Sequence, residues 1–193
     1  MSQTARLSLP LVSADTAQER AKEVLNTALQ QVGFIPNMYA GMANFPAVLD
    51  TYLHGYKLFR TESSLTPAEQ ELVFLAISRA NECTYCMAAH SMIATAVSKT
   101  PADVVQAIRL DGPIDNPKLA ALAEFTRMMV MSRGRPSPEQ LRAFIEAGYT
   151  ERTVLEIILA IAVKTLSNYS NHVFHTEVDQ KFMAFEWTPP AQS

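Results

Sequence analysis

Eleven prolines punctuate this chain, and they fall at the edges of segments rather than inside apolar runs. Proline lacks a backbone N–H and keeps the preceding residue out of the helical region, so it marks where helices start and stop. The stretches between are rich in alanine, leucine, methionine and glutamate, and the whole chain holds only six glycines. This combination predicts an all-α fold, a bundle of short helices joined by tight connections.

Individual starts are explicit. Thr66-Pro67-Ala68-Glu69 supplies a cap, a first-turn proline and the glutamate of a capping box. Thr100-Pro101-Ala102-Asp103 is a second start of the same kind. Ser13 or Asp15 is placed to cap a first helix running to about residue 32 and ending at Gly33. Pro36 and Pro46 bracket a short helix over 38–43, and residues 47–59 put Val48, Leu49, Tyr52, Leu53 and Tyr56 on one side. Leu72, Val73, Leu75, Ala76 and Ile77 predict a buried helix ending near Asn81, with a new helix from the cysteines to about Lys99. Residues 119–131, 137–147 and 150–174 complete the helical set. Residues 1–13 read as an extended arm, and residues 177–193, with Trp187, as a strap or loose tail. All of this belongs to a single domain over 1–193.

Composition narrows the function. Apolar residues make up 48% and charged residues 18%, which is a globular balance. A net charge of −3 with dispersed cations gives no nucleic-acid footprint. No signal peptide is visible and no apolar run approaches a membrane span, so the expected compartment is a reducing cytoplasm.

The only two cysteines lie three residues apart in Cys83-Thr84-Tyr85-Cys86, and His90 follows one turn later. In a reducing compartment such a pair is catalytic, redox-sensing or metal-binding. At a helix start, unpaired N–H groups favour thiolate; positions of this kind lower a cysteine pKa from about 8.5 to about 3.5–7.5. His90 is four residues after Cys86 on the same face, where imidazole is the natural proton acceptor. Glu71 lies on the preceding apolar helix. Periodicity favours a solvent-facing Glu71; if the two helices fold back on each other, it reaches His90 or a bridging water instead. Tyr85 is either packing or a hydrogen-bonding member of the site. Zinc held by Cys83, Cys86, His90 and Glu71 is a minor alternative, because structural zinc draws on two separated ligand pairs. His54, His172 and His175 lack a comparable setting and read as structural or interfacial.

A shift of 84 residues lays Thr66 on Thr150, Leu75-Ala76-Ile77 on Leu159-Ala160-Ile161, Tyr85 on Tyr169, Cys83 on Ser167 and Cys86 on Ser170. The echo is either a duplicated helical unit with one live and one dead site, or chance between two alanine-rich helices.

The pattern resembles the alkylhydroperoxidase D-like (AhpD-like) branch of the carboxymuconolactone decarboxylase superfamily, in particular its peroxidase-related members. The resemblance rests on Glu71, eleven intervening residues, Cys83-Thr84-Tyr85-Cys86 and His90, and extends to Ile35-Pro36-Asn37-Met38-Tyr39, Asn171-His172 and Thr176-Glu177. It implies an AhpD-like helical fold with an internally duplicated motif, no cofactor, and homo-oligomers, trimers or hexamers. It also implies a peroxidase reaction with Cys86 attacking, Cys83 resolving, and Glu71 and His90 relaying protons. The founding enzymes carry histidine where Tyr85 stands. The implied partners are a hydroperoxide substrate and an external dithiol or redox adaptor protein. The remaining readings are a general thiol–disulfide oxidoreductase and a non-enzymatic redox-responsive binding protein.

Overall fold

The computed structural model describes residues 4–190, which form nine α-helices and one 3-10 turn, with no strand among the described residues. The helices are α1 (Glu19–Val32), α2 (Asn37–Met42), α3 (Pro46–Glu62), α4 (Pro67–Ala80), α5 (Thr84–Ala96), α6 (Ala102–Leu110), α7 (Pro117–Met131), α8 (Pro138–Glu146) and α9 (Glu151–Phe174). The all-α architecture is therefore as the sequence predicts.

Capping chemistry sets most boundaries. Thr66 and Glu69 form the expected capping box on α4, and Ser137 with Gln140 and Thr150 with Thr153 do the same on α8 and α9. The start of α1 departs from expectation. Ser13 and Thr16 bond each other in a local turn, and the helix begins at Glu19. Serine offers the backbone a turn as readily as a cap, and here the turn prevails. Helix α5 ends at Ala96, short of Lys99, which has a left-handed φ of 53°.

Helix α4 is the centre of the molecule. It packs against α5, α6, α7 and α9, and residues 69–78 are buried without a gap. Helix α9 runs alongside it and also covers α3 and α2. Gly55 of α3 permits the α3–α9 approach; a Cβ there would stand 2.9 Å from Val163 Cγ2.

The 84-residue echo holds at the level of helices and fails at the joint. Thr66 and Thr150 both cap, but Glu82, with φ 53°, breaks the first unit between α4 and α5, whereas α9 runs unbroken through the matching positions. Ser167 is consequently no second site; it lies 3.9 Å from the Cys86 sulfur.

Both ends pack on their own chain. Leu7 N–H donates to Val173 C=O at 2.8 Å, and Val12 N–H to Ala40 C=O at 3.0 Å. The 3-10 turn Gln180–Phe185 lies on α5. Trp187 is buried beyond it, donating Nε1–H to Arg109 C=O at 2.8 Å, with the Arg79 guanidinium 5.3 Å over its ring. Arg109 completes the knot by donating to Ser91 Oγ and to the Phe185 and Glu186 carbonyls. The outermost residues of the arm and tail, 1–3 and 191–193, lie outside the described residues.

Candidate active site

Cys83 is the N-cap of α5 and Cys86 sits in its first turn. The break at Glu82 produces this arrangement: it turns the chain sharply after α4, so α5 folds back along it. Both thiols are free and buried. Cys83 hydrogen-bonds Cys86, and the Asn171 amide donates to Cys86 Sγ at 3.3 Å and approaches Cys83 Sγ at 3.7 Å.

The folding-back also brings Glu71 to His90. Glu71 is fully buried, because α4 has no solvent face for it, so the solvent-facing reading from periodicity does not hold. Its Oε2 lies 2.8 Å from His90 Nδ1, and its Oε1 accepts from Arg60. Arg60 in turn donates to the Tyr56 hydroxyl at 2.8 Å and lies over the Tyr56 and Phe74 rings. Among the described residues the His90 ring bonds Glu71 and not the Cys86 sulfur.

Charge separates the two thiols. Burial pushes Cys83 well up, reinforced by its hydrogen bond to Cys86 and by the charge there. Burial would push Cys86 up as well, but the hydrogen bond from Cys83 and the charge of Lys164, joined by His90 only when that ring is protonated, outweigh it and hold Cys86 well below the ordinary thiol range. His90 is held below its ordinary value by burial and then by Lys164, against the pull of Glu71. Glu71 is held down despite burial, by His90 and Arg60. At neutral pH the site thus contains an ionised Glu71, a neutral His90 and a Cys86 biased to thiolate.

Tyr85 points elsewhere. Its hydroxyl donates to Asp179, its ring packs edge-on against Phe182, and burial followed by Asp179 raises its pKa. It ties α5 to the segment leading into the 3-10 turn. A zinc set is poorly served, since Glu71 and His90 face each other and Arg60 holds the other carboxylate oxygen. Among the described residues no cluster of three metal-ligating acids, histidines or cysteines is formed.

A cleft of about 480 Å³ opens over the Cys83 side and is lined by Cys83, Tyr85, Asn171, His172 and His175, among others. Cys86 lies behind it. His172 and His175 therefore stand at the approach to the thiols, while His54 lines a separate groove with Arg20 and Asp50.

Residues 36–128 match the carboxymuconolactone decarboxylase family. The match spans just under half of the chain, which over that stretch is similar to the family. Solved structures similar to it include an alkylhydroperoxidase AhpD core, an uncharacterized peroxidase-related protein from Ralstonia eutropha JMP134, at 22% identity and a TM-score of 0.78, covering 94% of this chain and 97% of that one. An uncharacterized peroxidase-related protein from Silicibacter sp. TM1040 has 17% identity and a TM-score of 0.75, covering 92% and 93%. The debrominase Bmp8, in complex with 2,3,4-tribromopyrrole, has 21% identity and a TM-score of 0.74, covering 95% and 96%. No curated protein matches the chain in sequence.

The thiols are surrounded by groups that no local spacing ties to them: Arg60 and Lys164, which belong to no motif, and Ser167 and Asn171, which enter only through the 84-residue echo and the resemblance. Three of these, with Asn168, share a pattern. Lys164, Ser167, Asn168 and Asn171 form a polar stripe at helical spacing, and all four are buried. A polar stripe on an otherwise apolar helix is the signal that marks a buried polar centre.

Proposed function

We propose that the protein is a thiol-dependent peroxidase of the AhpD-like type, with Cys86 attacking and Cys83 resolving. The observation that carries this reading is the asymmetric setting of the two thiols: Cys86 lies in the first turn of α5, receives the Asn171 amide at 3.3 Å and sits 3.9 Å from Ser167 Oγ, whereas Cys83 caps the helix and lines the cleft; the same setting lowers Cys86 and raises Cys83. Only a thiolate is a competent nucleophile. Cys86 sulfur attacks one peroxide oxygen, the O–O bond breaks, and the products are a Cys86 sulfenic acid and an alcohol or water. Cys83 sulfur then attacks Cys86, its proton leaves with the hydroxyl as water, and a disulfide forms. An external dithiol or redox adaptor protein approaches through the cleft on the Cys83 side and returns both thiols. Glu71 and His90 serve as the proton relay, with Glu71 holding His90 Nδ1–H and leaving Nε2 as the acceptor. We place this cycle in a reducing, cytoplasm-like compartment and in a homo-oligomer.

The test is sulfenic-acid trapping with dimedone. Cys83→Ser should be labelled at Cys86 after hydroperoxide, and Cys86→Ser should not be labelled. Labelling of Cys83 alone would reverse the assignment. If the reduced wild type consumes no hydroperoxide, the reading gives way to thiol–disulfide exchange or redox-responsive binding. A brominated pyrrole belongs in the same panel, because a debrominase shares the fold.

A further inference from the structure

Lys164 biases Cys86 toward thiolate, but no step above uses its proton. Its side chain is fully buried on α9, its ammonium nitrogen has no hydrogen-bond partner of ordinary geometry among the described residues, and the group it acts on is the Cys86 thiol. No carboxylate pairs with it among the described residues, since Glu71 is held by Arg60 and His90. An isolated buried ammonium is among the costliest groups a protein can hold, so it calls for an anion or loses its proton.

The neighbours fix its place. Lys164 precedes Ser167 by three residues and Asn171 by seven, on one face of α9. Ser167 Oγ and Asn171 Nδ2 lie 3.9 Å and 3.3 Å from Cys86 Sγ. The ammonium is 5.6 Å from the centroid of the Phe74 ring, which itself lies 4.9 Å from the His90 ring. The titratable and charged groups that face this centre are Cys83, Tyr85, Cys86 and His90 from α5, Glu71 from α4, Tyr52, Tyr56 and Arg60 from α3, Tyr39 from α2, and His172 from α9 itself. Glu71 and Arg60 already pair with each other, and His90 and Cys83 are neutral. Cys86 is the remaining group able to carry a negative charge beside Lys164.

We propose that Lys164 is the proton-carrying partner of Cys86: its ammonium balances the resting thiolate and gives up a proton when oxidation removes that charge. The donor half rests on the peroxidase reading; the charge-balance half does not. Cys86 sulfur attacks the terminal oxygen of ROOH, the S–O bond forms, and the O–O electron pair departs with RO⁻. Lys164 protonates RO⁻ to ROH and becomes a neutral amine, which no longer needs an anion. Cys83 then closes the disulfide with loss of water. The external dithiol restores both thiols at the cost of its own oxidation, and the Cys86 proton returns to Lys164. No charge is left stranded in the interior at either end of the cycle.

Two measurements decide this. The first is the pH dependence of iodoacetamide alkylation at Cys86 in the Cys83→Ser protein, with and without Lys164→Met. Loss of Lys164 should raise the alkylation midpoint by one unit or more, about tenfold less thiolate near neutral pH. An unchanged midpoint overturns the proposal, even if hydroperoxide is still consumed. The second is the proton balance of disulfide formation, followed with an indicator dye in weak buffer at a pH where Cys86 is ionised in the protein under study. The wild type should take up no proton per disulfide, and Lys164→Met one. One proton taken up by the wild type, or none by the variant, overturns the donor role. A raised midpoint in a protein that consumes no hydroperoxide leaves the charge balance standing and removes the peroxidase reading. Lys164→Gln is run in parallel, and the wild-type proton count decides the donor role even if neither variant folds.

Discussion

Arg60 and Lys164 divide the positive charge of the buried site, and substitution should separate them. Arg60→Met strips Glu71 of its guanidinium and leaves a fully buried carboxylate with His90 alone. Breaking a buried pair on one side costs about 3–5 kcal/mol, so denaturant unfolding should show a loss of that order. Glu71→Gln removes the anion that raises the proton affinity of His90. The relay should then weaken, and the hydroperoxide rate should fall by about a hundredfold or more in stopped flow. Stability should also follow pH in a set direction. His90 is held below its ordinary 6.5 by burial and Lys164, so the unfolded chain binds a proton there that the native state refuses. That contribution is complete above about pH 6.5 and is lost as pH falls through the native value. Glu71, held down despite burial, acts the same way lower on the scale: its contribution is present above its ordinary 4.5 and fades as it protonates. The unfolding midpoint should therefore decline progressively from about pH 7 toward acid, and His90→Asn should flatten the first part of the decline. Legibility at this scale followed local spacing. Cys83, Cys86 and His90 share one stretch of helix and were visible as a set. Glu71 was legible as one of two alternatives, solvent-facing or folded back onto His90, because a helix buried on every side defeats periodicity. Lys164 and Arg60 come from α9 and α3, and nothing local ties them to the thiols.

At the scale of elements, caps made the fold readable and joints did not. The helices that begin at Thr66, Ser137 and Thr150 are announced by residues whose side chains close the first turn. Thr66→Ala should cost about 1 kcal/mol of stability, the usual loss for an N-cap, read as a lower unfolding midpoint. The start of α1 was misplaced because Ser13 and Thr16 satisfy each other in a turn. The unbroken course of α9 over Glu151–Phe174 is as the sequence predicts, because its start is capped and no proline or glycine interrupts it. The α4–α5 joint depends on Glu82 in the left-handed region, a conformation that costs a non-glycine residue about 1–2 kcal/mol. Glu82→Gly should recover part of that, about 0.5–1 kcal/mol after the added freedom of the unfolded chain. The same substitution should leave the Cys86 alkylation profile in place, because the turn is kept.

The whole molecule leaves one long face uncovered. Leu155, Ile158, Tyr169 and Val173 are exposed along α9, and the exposed Leu7, Leu9 and Leu11 of the arm continue the surface where Leu7 bonds Val173. Helix α9 is long and apolar enough to cross a membrane by length and composition, although no apolar run of spanning length stands out in the sequence. Its inner face nevertheless buries Glu156, Lys164, Ser167, Asn168 and Asn171, the pattern of a core helix. We propose that a second copy of the chain covers the outer face, consistent with the oligomers that the family resemblance implies. Light scattering at micromolar concentration should give a multiple of the 21.3 kDa chain, and Leu155→Glu with Ile158→Glu should lower it. A wild-type monomer stable to dilution would remove the claim. The tail that holds Trp187 takes no part in this face, since it packs on its own chain. That docking has an optical consequence. Trp187 is the only tryptophan, so indole emission comes entirely from the strap across α5 and α6. Release of the strap would expose the ring and red-shift the emission, while a change confined to the thiols would leave it blue; one fluorescence trace during oxidation therefore distinguishes a rearranged tail from chemistry alone.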